Sequence, residues 1–190
     1  MLLNSRKSLV ITTEEAITLH QATTTDAAVL VELGRRTMRQ TYGTAFAIED
    51  IDRVAEQRFN LKRLTDELAN PEIRYLLVTA NQQPCGYAKL EPTSTPDAIT
   101  GMHPIQLVHL YVDSQWIGKG IGAKQMQGAL EFVTSNGFAT CWLQVLESNH
   151  RAISFYRRWG FVEVGSDLYP AGETSVPVLL MMRCSVDAAT

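Results

Sequence analysis

The chain of 190 residues has little charge, little cysteine and no long apolar run. Charged residues make up 19% of it and the formal net charge is −3, so it lacks the basic footprint of a nucleic-acid-binding surface. No window approaches the roughly 18 consecutive apolar residues of a membrane span. Met1–Ile17 also lacks the continuous apolar stretch of a signal peptide. We therefore expect a cytoplasmic protein with neither a nucleic-acid nor a membrane partner.

The three cysteines, Cys85, Cys141 and Cys184, are odd in number and widely spaced. This pattern fits neither a disulfide framework nor a zinc site. Each cysteine lies in an apolar, strand-like run, where a free thiol behaves as a small hydrophobe. The pattern indicates a reducing compartment and no bound metal.

The hydrophobic pattern predicts one α/β domain at residues 16–190, after a flexible tail at residues 1–15. The order of elements is a strand, helices, three strands, a glycine-rich loop and helix, a strand, a helix and two closing strands, which predicts a mixed sheet. The strands are expected at Ala16–Ala22, Tyr75–Thr79, Cys85–Leu90, Ile105–Asp113, Ala139–Leu146, Phe161–Ser166 and Val176–Arg183. The helices are expected from Thr24 to about Gln40, as one or two helices within Glu49–Asn70, and at Gly118–Asn136 and Asn149–Trp159.

The most informative segment is the glycine-rich loop after the strand that ends at Asp113. Gly118, Gly120 and Gly122 alternate where the next helix begins. A helix N-terminus presents unpaired N–H groups and a partial positive charge, and glycine lets the backbone approach an anion closely. The segment therefore predicts a cradle for a phosphate or pyrophosphate group, to which Lys119 could add a cation.

Two common phosphate loops do not match this spacing. A Walker loop requires Ser or Thr after its lysine, whereas Gly120 follows Lys119. A dinucleotide fingerprint requires G-x-G-x-x-G in an early βα unit, whereas the present glycines alternate and come after four strands. Taken alone, the loop could still be a plain strand–turn–helix junction.

Ile117-Gly118-Lys119-Gly120-Ile121-Gly122 resembles the coenzyme A loop of the GNAT superfamily of N-acetyltransferases, Arg/Gln-x-x-Gly-x-Gly/Ala. Ile117 stands where the family usually has Arg or Gln. A register that starts at Gln115 restores the Gln but lengthens the start of the helix.

A second segment, Leu143–Phe161, is similar to another signature of the same superfamily. It contains a strand followed by Asn-x-x-Ala, Phe-Tyr and Gly-Phe, in that order. Both motifs lie in the second half of the chain, in the order expected for the superfamily.

The resemblance implies a single-domain GNAT-like fold with a mixed, mostly antiparallel sheet of six or seven strands flanked by helices. It also implies an acetyl-CoA-dependent enzyme that acetylates a primary amine by direct attack in a ternary complex, with two central strands splayed apart to admit the thioester. It places the cofactor against Leu110, Tyr111, Val112, Ile117, Gly118, Lys119, Gly120, Ile121, Gly122, Asn149, Ala152, Phe155 and Tyr156.

The same resemblance assigns a catalytic role to Tyr156, since a phenol beside the cofactor can protonate the departing thiolate. The alternative is a core aromatic residue. For Asn149 the sequence alone predicts an N-cap, and the resemblance adds a cofactor contact.

The acceptor amine must lose a proton. For a lysine-like pKa of about 10.4, forming the free base at pH 7 costs roughly 4.6 kcal/mol. The family does not fix the base, and three residues are candidates: Glu147 after the fifth strand, His109 on the fourth, and Glu91 after the third. An unperturbed histidine titrates in the useful range. Asp113 is expected to cap the turn instead.

For the acceptor, five segments resemble the polyamine-acetyltransferase branch of the superfamily: Tyr42-Gly43, Glu67-Leu68, Gly86–Leu90, Trp116–Gly120 and Phe155–Phe161. A polycation could be held by acids at the start of the second helix, which are Glu49, Asp50 and Asp52, or these could form an ordinary solvated helix start. A protein N-terminus or lysine, an amino acid and an antibiotic stay open as acceptors. A non-catalytic acyl-CoA-binding sensor stays open as well. The expected assembly is a monomer or a homodimer.

Overall fold

The computed structural model describes residues 16–43, 46–171 and 174–184, so the predicted tail at residues 1–15 lies outside the described residues. These residues form seven strands and five α-helices. In chain order they are β1 Ile17–Gln21, α1 Ala27–Tyr42, α2 Ile48–Arg58, α3 Leu61–Ala69, β2 Arg74–Ala80, β3 Gln83–Glu91, β4 Pro104–Val112, α4 Ile121–Ser135, β5 Thr140–Leu146, α5 His150–Arg158, β6 Val162–Ala171 and β7 Thr174–Cys184.

The strands form one sheet in the order β1-β2-β3-β4-β5-β7-β6. All neighbours are antiparallel except β4 and β5, which are parallel. This arrangement confirms the predicted mixed, mostly antiparallel sheet. The single parallel pair arises because α4 connects β4 to β5 as a crossover helix.

Helices cover both faces of the sheet because successive strand residues point to opposite sides. Leu77 and Tyr87 belong to a core with α1, α2 and α3, whereas Leu76 and Ala88 pack in a separate core with α4 and α5. The domain therefore has three layers, with the α1–α3 face on one side and the α4–α5 face on the other. None of the described helices is both long enough and apolar enough to cross a bilayer.

Backbone geometry explains the start of α4, which differs from the sequence-based expectation, and the division of the span 49–70, which is one of the two expected alternatives. Strand β6 also runs to Ala171, beyond its expected end at Ser166. Helix α4 begins at Ile121 rather than Gly118, because Gly118 and Gly120 have φ of 84° and 82°, which a right-handed helix cannot contain. The span 49–70 divides into two helices after Arg58, where Asn60 caps α3 by accepting a hydrogen bond from the N–H of Arg63 at 2.9 Å.

Candidate active site

A gap opens in the middle of the sheet where β4 and β5 separate. The two strands pair only from Pro104 opposite Thr140 to Gln106 opposite Trp142. Strand β4 then continues along β3 with a register shift that leaves Val108 as an extra residue. A β-bulge of this kind bends its strand and increases the local twist. The bulge therefore accompanies the divergence of β4 from β5 and opens the space between them.

A cavity of about 360 Å³ lies at this gap, on the α1–α3 face of the sheet. Val108 and His109 line it from β4, and Gln144 and Leu146 line it from β5. Val108 and His109 are consecutive and would alternate in a regular strand, so the bulge explains why both face the cavity. The volume suits a small molecule.

Buried charges line the wall of the cavity. Lys89 is only 3% exposed, and its Nζ lies 2.9 Å from an Oε of Glu67 and 3.0 Å from an Oε of Glu91. Glu67 also accepts hydrogen bonds from the hydroxyl of Tyr75 and from Nε of Arg63. Burial raises the pKa of Glu67, but the hydrogen bonds from Tyr75 and Lys89 outweigh burial and leave that pKa lowered. Both carboxylates are thus engaged by cations of the protein itself.

His109 sits among aromatic rings inside the cavity. Its ring centroid lies 5.8 Å from Phe59, 5.7 Å from Tyr87 and 5.2 Å from Tyr111. Burial, reinforced by the nearby charge of Lys89, lowers the pKa of His109 to about 3. The expectation that His109 titrates near neutral pH is therefore wrong, because the apolar surroundings penalise the imidazolium.

Tyr156 lies on the opposite face of the sheet, on α5, packed against the rings of Phe155 and Phe161. Its hydroxyl makes no hydrogen bond to any residue that the structure describes. Burial raises its pKa, and Tyr42, which lines the cavity, raises it further. The phenol consequently stays protonated at any working pH and has a proton to donate.

The glycine-rich loop leaves open space above the N-terminus of α4. A Cβ added to Gly118 or Gly120 would meet no atom within 4 Å. Gly122 lies in the first turn of α4, where an added Cβ would come within 3.6 Å of the Phe155 ring on α5. The first amides of a helix have no intrahelical partner, so the open loop fits a phosphate group. The contact with Phe155 joins the two sequence motifs in space.

Asp113 anchors this loop to α1. Its carboxylate accepts hydrogen bonds from Nε of Arg36 at 2.6 Å and from Nε2 of Gln40 at 3.2 Å. It also accepts one from the N–H of Gln115, which confirms the predicted cap of the turn. Burial raises the pKa of Asp113, but the bonds from Gln40 and Arg36 outweigh it and lower that pKa overall. The partners on α1 were not predicted, because they lie more than 70 positions away in the sequence.

The remaining residues of the predicted cofactor site surround the gap and the loop. Asn149 accepts a hydrogen bond from the N–H of Ala152 at 3.1 Å, which confirms it as the N-cap of α5. Leu110, Tyr111 and Val112 lie on β4 beyond its last pairing with β5. In the loop itself, Ile117 is exposed and Nζ of Lys119 lies 4.3 Å from the centroid of the Trp116 ring.

Several predicted acidic residues lie outside the cavity lining. Glu147 is exposed just after β5. The three acids suggested for a polycation, Glu49, Asp50 and Asp52, do not line the cavity either. Asp50 pairs with Arg53, and Asp52 pairs with Arg39.

Sequence analysis missed the cations of the cavity. Arg58, Arg63 and Lys89 all line it, although they come from α2, α3 and β3. The only signal that could have found one of them is a lysine inside the otherwise apolar strand Cys85–Leu90. A charged residue is almost never fully buried without a partner.

Comparison with known proteins identifies relatives of this chain among N-acetyltransferases. The sequence pattern of the acetyltransferase (GNAT) family matches residues 35–161. An uncharacterized N-acetyltransferase of Lactobacillus delbrueckii subsp. lactis is 21% identical over 166 residues, which are 87% of this chain and 96% of that protein. A spermidine N(1)-acetyltransferase of Thermoplasma acidophilum is 23% identical over 150 residues, covering 77% of this chain and 88% of the relative.

Solved structures show the same fold. The PaiA N-acetyltransferase of Thermoplasma acidophilum, in complex with coenzyme A, superposes with a TM-score of 0.71 at 20% identity, covering 90% of this chain and 99% of that one. The ribosomal-protein-S18-alanine N-acetyltransferase of Escherichia coli gives 0.65 at 19% identity, covering 88% and 93%. The family pattern spans about two thirds of the chain, including both motifs and the strands that form the gap. The chain therefore belongs to the acetyltransferase (GNAT) family and is an N-acetyltransferase that uses acetyl-CoA.

Proposed function

We propose that this enzyme acetylates a primary amine of a small molecule by direct attack in a ternary complex. The observation that carries the proposal is the gap between β4 and β5. The cavity of about 360 Å³ lies on the α1–α3 face of this gap. Tyr156 and the glycine loop lie on the α4–α5 face. Bound acetyl-CoA supplies an activated acetyl thioester. The chain itself must hold the two reactants, orient them across the gap and move the protons.

The glycine loop and the free edge of β4 would hold the cofactor. The amides of Gly120, Ile121 and Gly122 at the start of α4 suit the phosphates, with the side chain of Lys119 as a nearby cation. Beyond its last pairing with β5, β4 offers backbone groups at Leu110 and Val112 to an extended arm, as an unpaired strand edge does. The carbonyl of Tyr111 between them accepts a hydrogen bond from Nε2 of Gln125 at 3.0 Å. Ala152 and Phe155 on α5 would complete this surface together with Asn149.

Tyr156 is the proposed proton donor to the departing thiolate. The hydroxyl of Tyr156 makes no hydrogen bond among the described residues, and it is not one of the fully buried atoms that lack a partner, so its oxygen is accessible to an incoming group. Its raised pKa keeps the proton in place. Both features suit a group whose partner arrives with the cofactor.

Glu91 is the proposed acceptor of the amine proton. Of the three candidate bases, Glu91 and His109 line the cavity and Glu147 does not. Since the pKa of His109 is lowered to about 3, its imidazole is a weak base. The carboxylate of Glu91 is partly exposed and is therefore in contact with solvent that could relay the proton.

We expect Glu91→Gln to lower kcat/KM by about 100-fold near pH 7. The deficit should shrink as the pH rises towards the pKa of the acceptor amine, because the free base then forms without help. A pH profile of kcat/KM for the two enzymes measures this effect. Glu147→Gln is the matched control and should retain activity. A loss confined to Glu147→Gln would assign the base to Glu147 instead.

A polyamine is the acceptor that the spermidine N(1)-acetyltransferase relative favours. The similarity to the ribosomal-protein-S18-alanine N-acetyltransferase suggests protein N-termini as another class of acceptor. The volume of the cavity, about 360 Å³, supports a small molecule. A sensor that binds acetyl-CoA without catalysis would bind the cofactor and release no coenzyme A with any amine.

Thermal unfolding with acetyl-CoA, ATP and NAD tests the cofactor first. Acetyl-CoA at about 100 times its Kd should add about 2.7 kcal/mol to the free energy of unfolding. We expect the melting temperature to rise by about 2–4 °C with acetyl-CoA alone. A screen for thiol release across small amines then tests catalysis. A shift with ATP or NAD but none with acetyl-CoA would contradict the proposed function.

A further inference from the structure

The charges that line the cavity do not balance. The cations are Arg58, Arg63 and Lys89, whereas the carboxylates are Glu67 and Glu91. Both carboxylates are already engaged, since Lys89 contacts both of them and Arg63 contacts Glu67. With the imidazole of His109 neutral, one positive charge is left over inside the cavity.

The surplus charge is located on Arg58, at the end of α2. The side chain is half-buried, and its guanidinium carbon lies 5.3 Å from the centroid of the Tyr169 ring. No carboxylate in the described part of the chain lies within ion-pair distance of it. A guanidinium that contacts a ring through its face still presents N–H donors at its edge, and these match a carboxylate in bidentate fashion.

The charges around His109 also indicate an excess of cations in the cavity. Besides burial, the charges of Lys89, Arg58 and Arg63 all lower its pKa, while only Glu67 among the major influences raises it. Around His109, nearby cations therefore outnumber nearby carboxylates, in agreement with the charge balance of the lining. A polyamine would bring further positive charge to this cavity, whose two carboxylates already share the charge of Lys89.

We infer that the acceptor carries a carboxylate as well as the amine, and that Arg58 binds this carboxylate. An amino acid or a related amino carboxylate fits this chemistry. Its negative end neutralises the surplus cation, and its amine is then directed to the gap between β4 and β5. This inference rests on the proposed function, because it names the class of amine that the same cavity accepts.

Matched pairs of acceptors test the inference. A panel of α- and ω-amino acids is assayed by thiol release with acetyl-CoA, each beside the amine that it would leave on decarboxylation: lysine beside cadaverine, and ornithine beside putrescine. We expect turnover in at least one pair, with kcat/KM at least 10-fold higher for the member with the carboxylate. Equal or faster turnover of cadaverine or putrescine would overturn the inference and support a polyamine.

Variants of Arg58 test whether this residue binds the carboxylate of the acceptor. With the preferred amino carboxylate, Arg58→Gln should raise KM by about 10-fold or more and change kcat little, because the contact serves binding. The decarboxylated partner should be unaffected, and Arg58→Lys should recover part of the loss. Arg53→Gln is the matched control, since Arg53 lies on the same helix, is exposed and is outside the cavity. An equal rise in KM for both members of a pair would overturn the role of Arg58.

A binding measurement with acetyl-CoA distinguishes failure of this inference from failure of the proposed function. If acetyl-CoA stabilises the protein and no amino carboxylate of the panel is acetylated, the inference fails while the cofactor assignment stands. If acetyl-CoA neither binds nor is consumed, the proposed function itself fails.

Discussion

Tyr156→Phe is expected to lower kcat by at least about 100-fold, which is the usual contribution of a well-placed general acid. The substitution removes a single oxygen from a side chain that keeps its ring contacts with Phe155 and Phe161. The lost hydroxyl makes no hydrogen bond within the described part of the protein, so folding should not suffer. Steady-state kinetics with a saturating acceptor measure the loss.

The pH dependence of this loss gives a second readout. Because burial raises the pKa of Tyr156, the phenol is protonated well above neutral pH. The ratio of wild-type to variant kcat should therefore stay constant from about pH 6 to pH 9, with no alkaline limb due to this residue. Acetyl-CoA should stabilise both proteins against heat to a similar extent. A variant with full kcat would show that Tyr156 is a core aromatic residue only.

Gly120→Val is expected to weaken the binding of acetyl-CoA by about 10- to 100-fold. Gly120 is the N-cap of α4 and has φ of 82°, which costs an L-residue about 1–2 kcal/mol and a β-branched one more. The new side chain must either fill the open space over the helix or force the loop to change shape. In both cases the phosphates lose charge-assisted hydrogen bonds of about 1.5–3 kcal/mol each. Isothermal titration with acetyl-CoA measures the change in Kd.

Gly137→Val is the matched control for that experiment. Gly137 follows the C-terminal end of the same helix, has φ of 75°, and likewise has no atom within 4 Å of an added Cβ. The two variants should lose similar amounts of thermal stability without ligand, because they carry the same kind of backbone strain. Only Gly120→Val should lose affinity. If both variants bind acetyl-CoA as tightly as the wild type, the glycine loop does not hold the cofactor.

Much of the fold could be predicted from the sequence because it depends on local patterns. Apolar periodicity set the order of the strands and helices, and Asn149 identified the start of α5. The local pattern was less informative about the sign of the backbone angle φ at the glycines. The helix expected at Gly118 begins at Ile121, since glycine allows positive φ without requiring it.

The sequence by itself determined the family, because both cofactor motifs are contiguous segments whose spacing follows from a strand, a turn and a helix. The contents of the cavity were decided only by tertiary structure. Lys89, Glu67 and Arg58 come from three different elements, and their charges combine only when α2 and α3 pack over β3. The pKa of His109 likewise depends on burial by residues distant in sequence. Electrostatics and desolvation act through space, so the preference for one amine over another arises only in the folded chain.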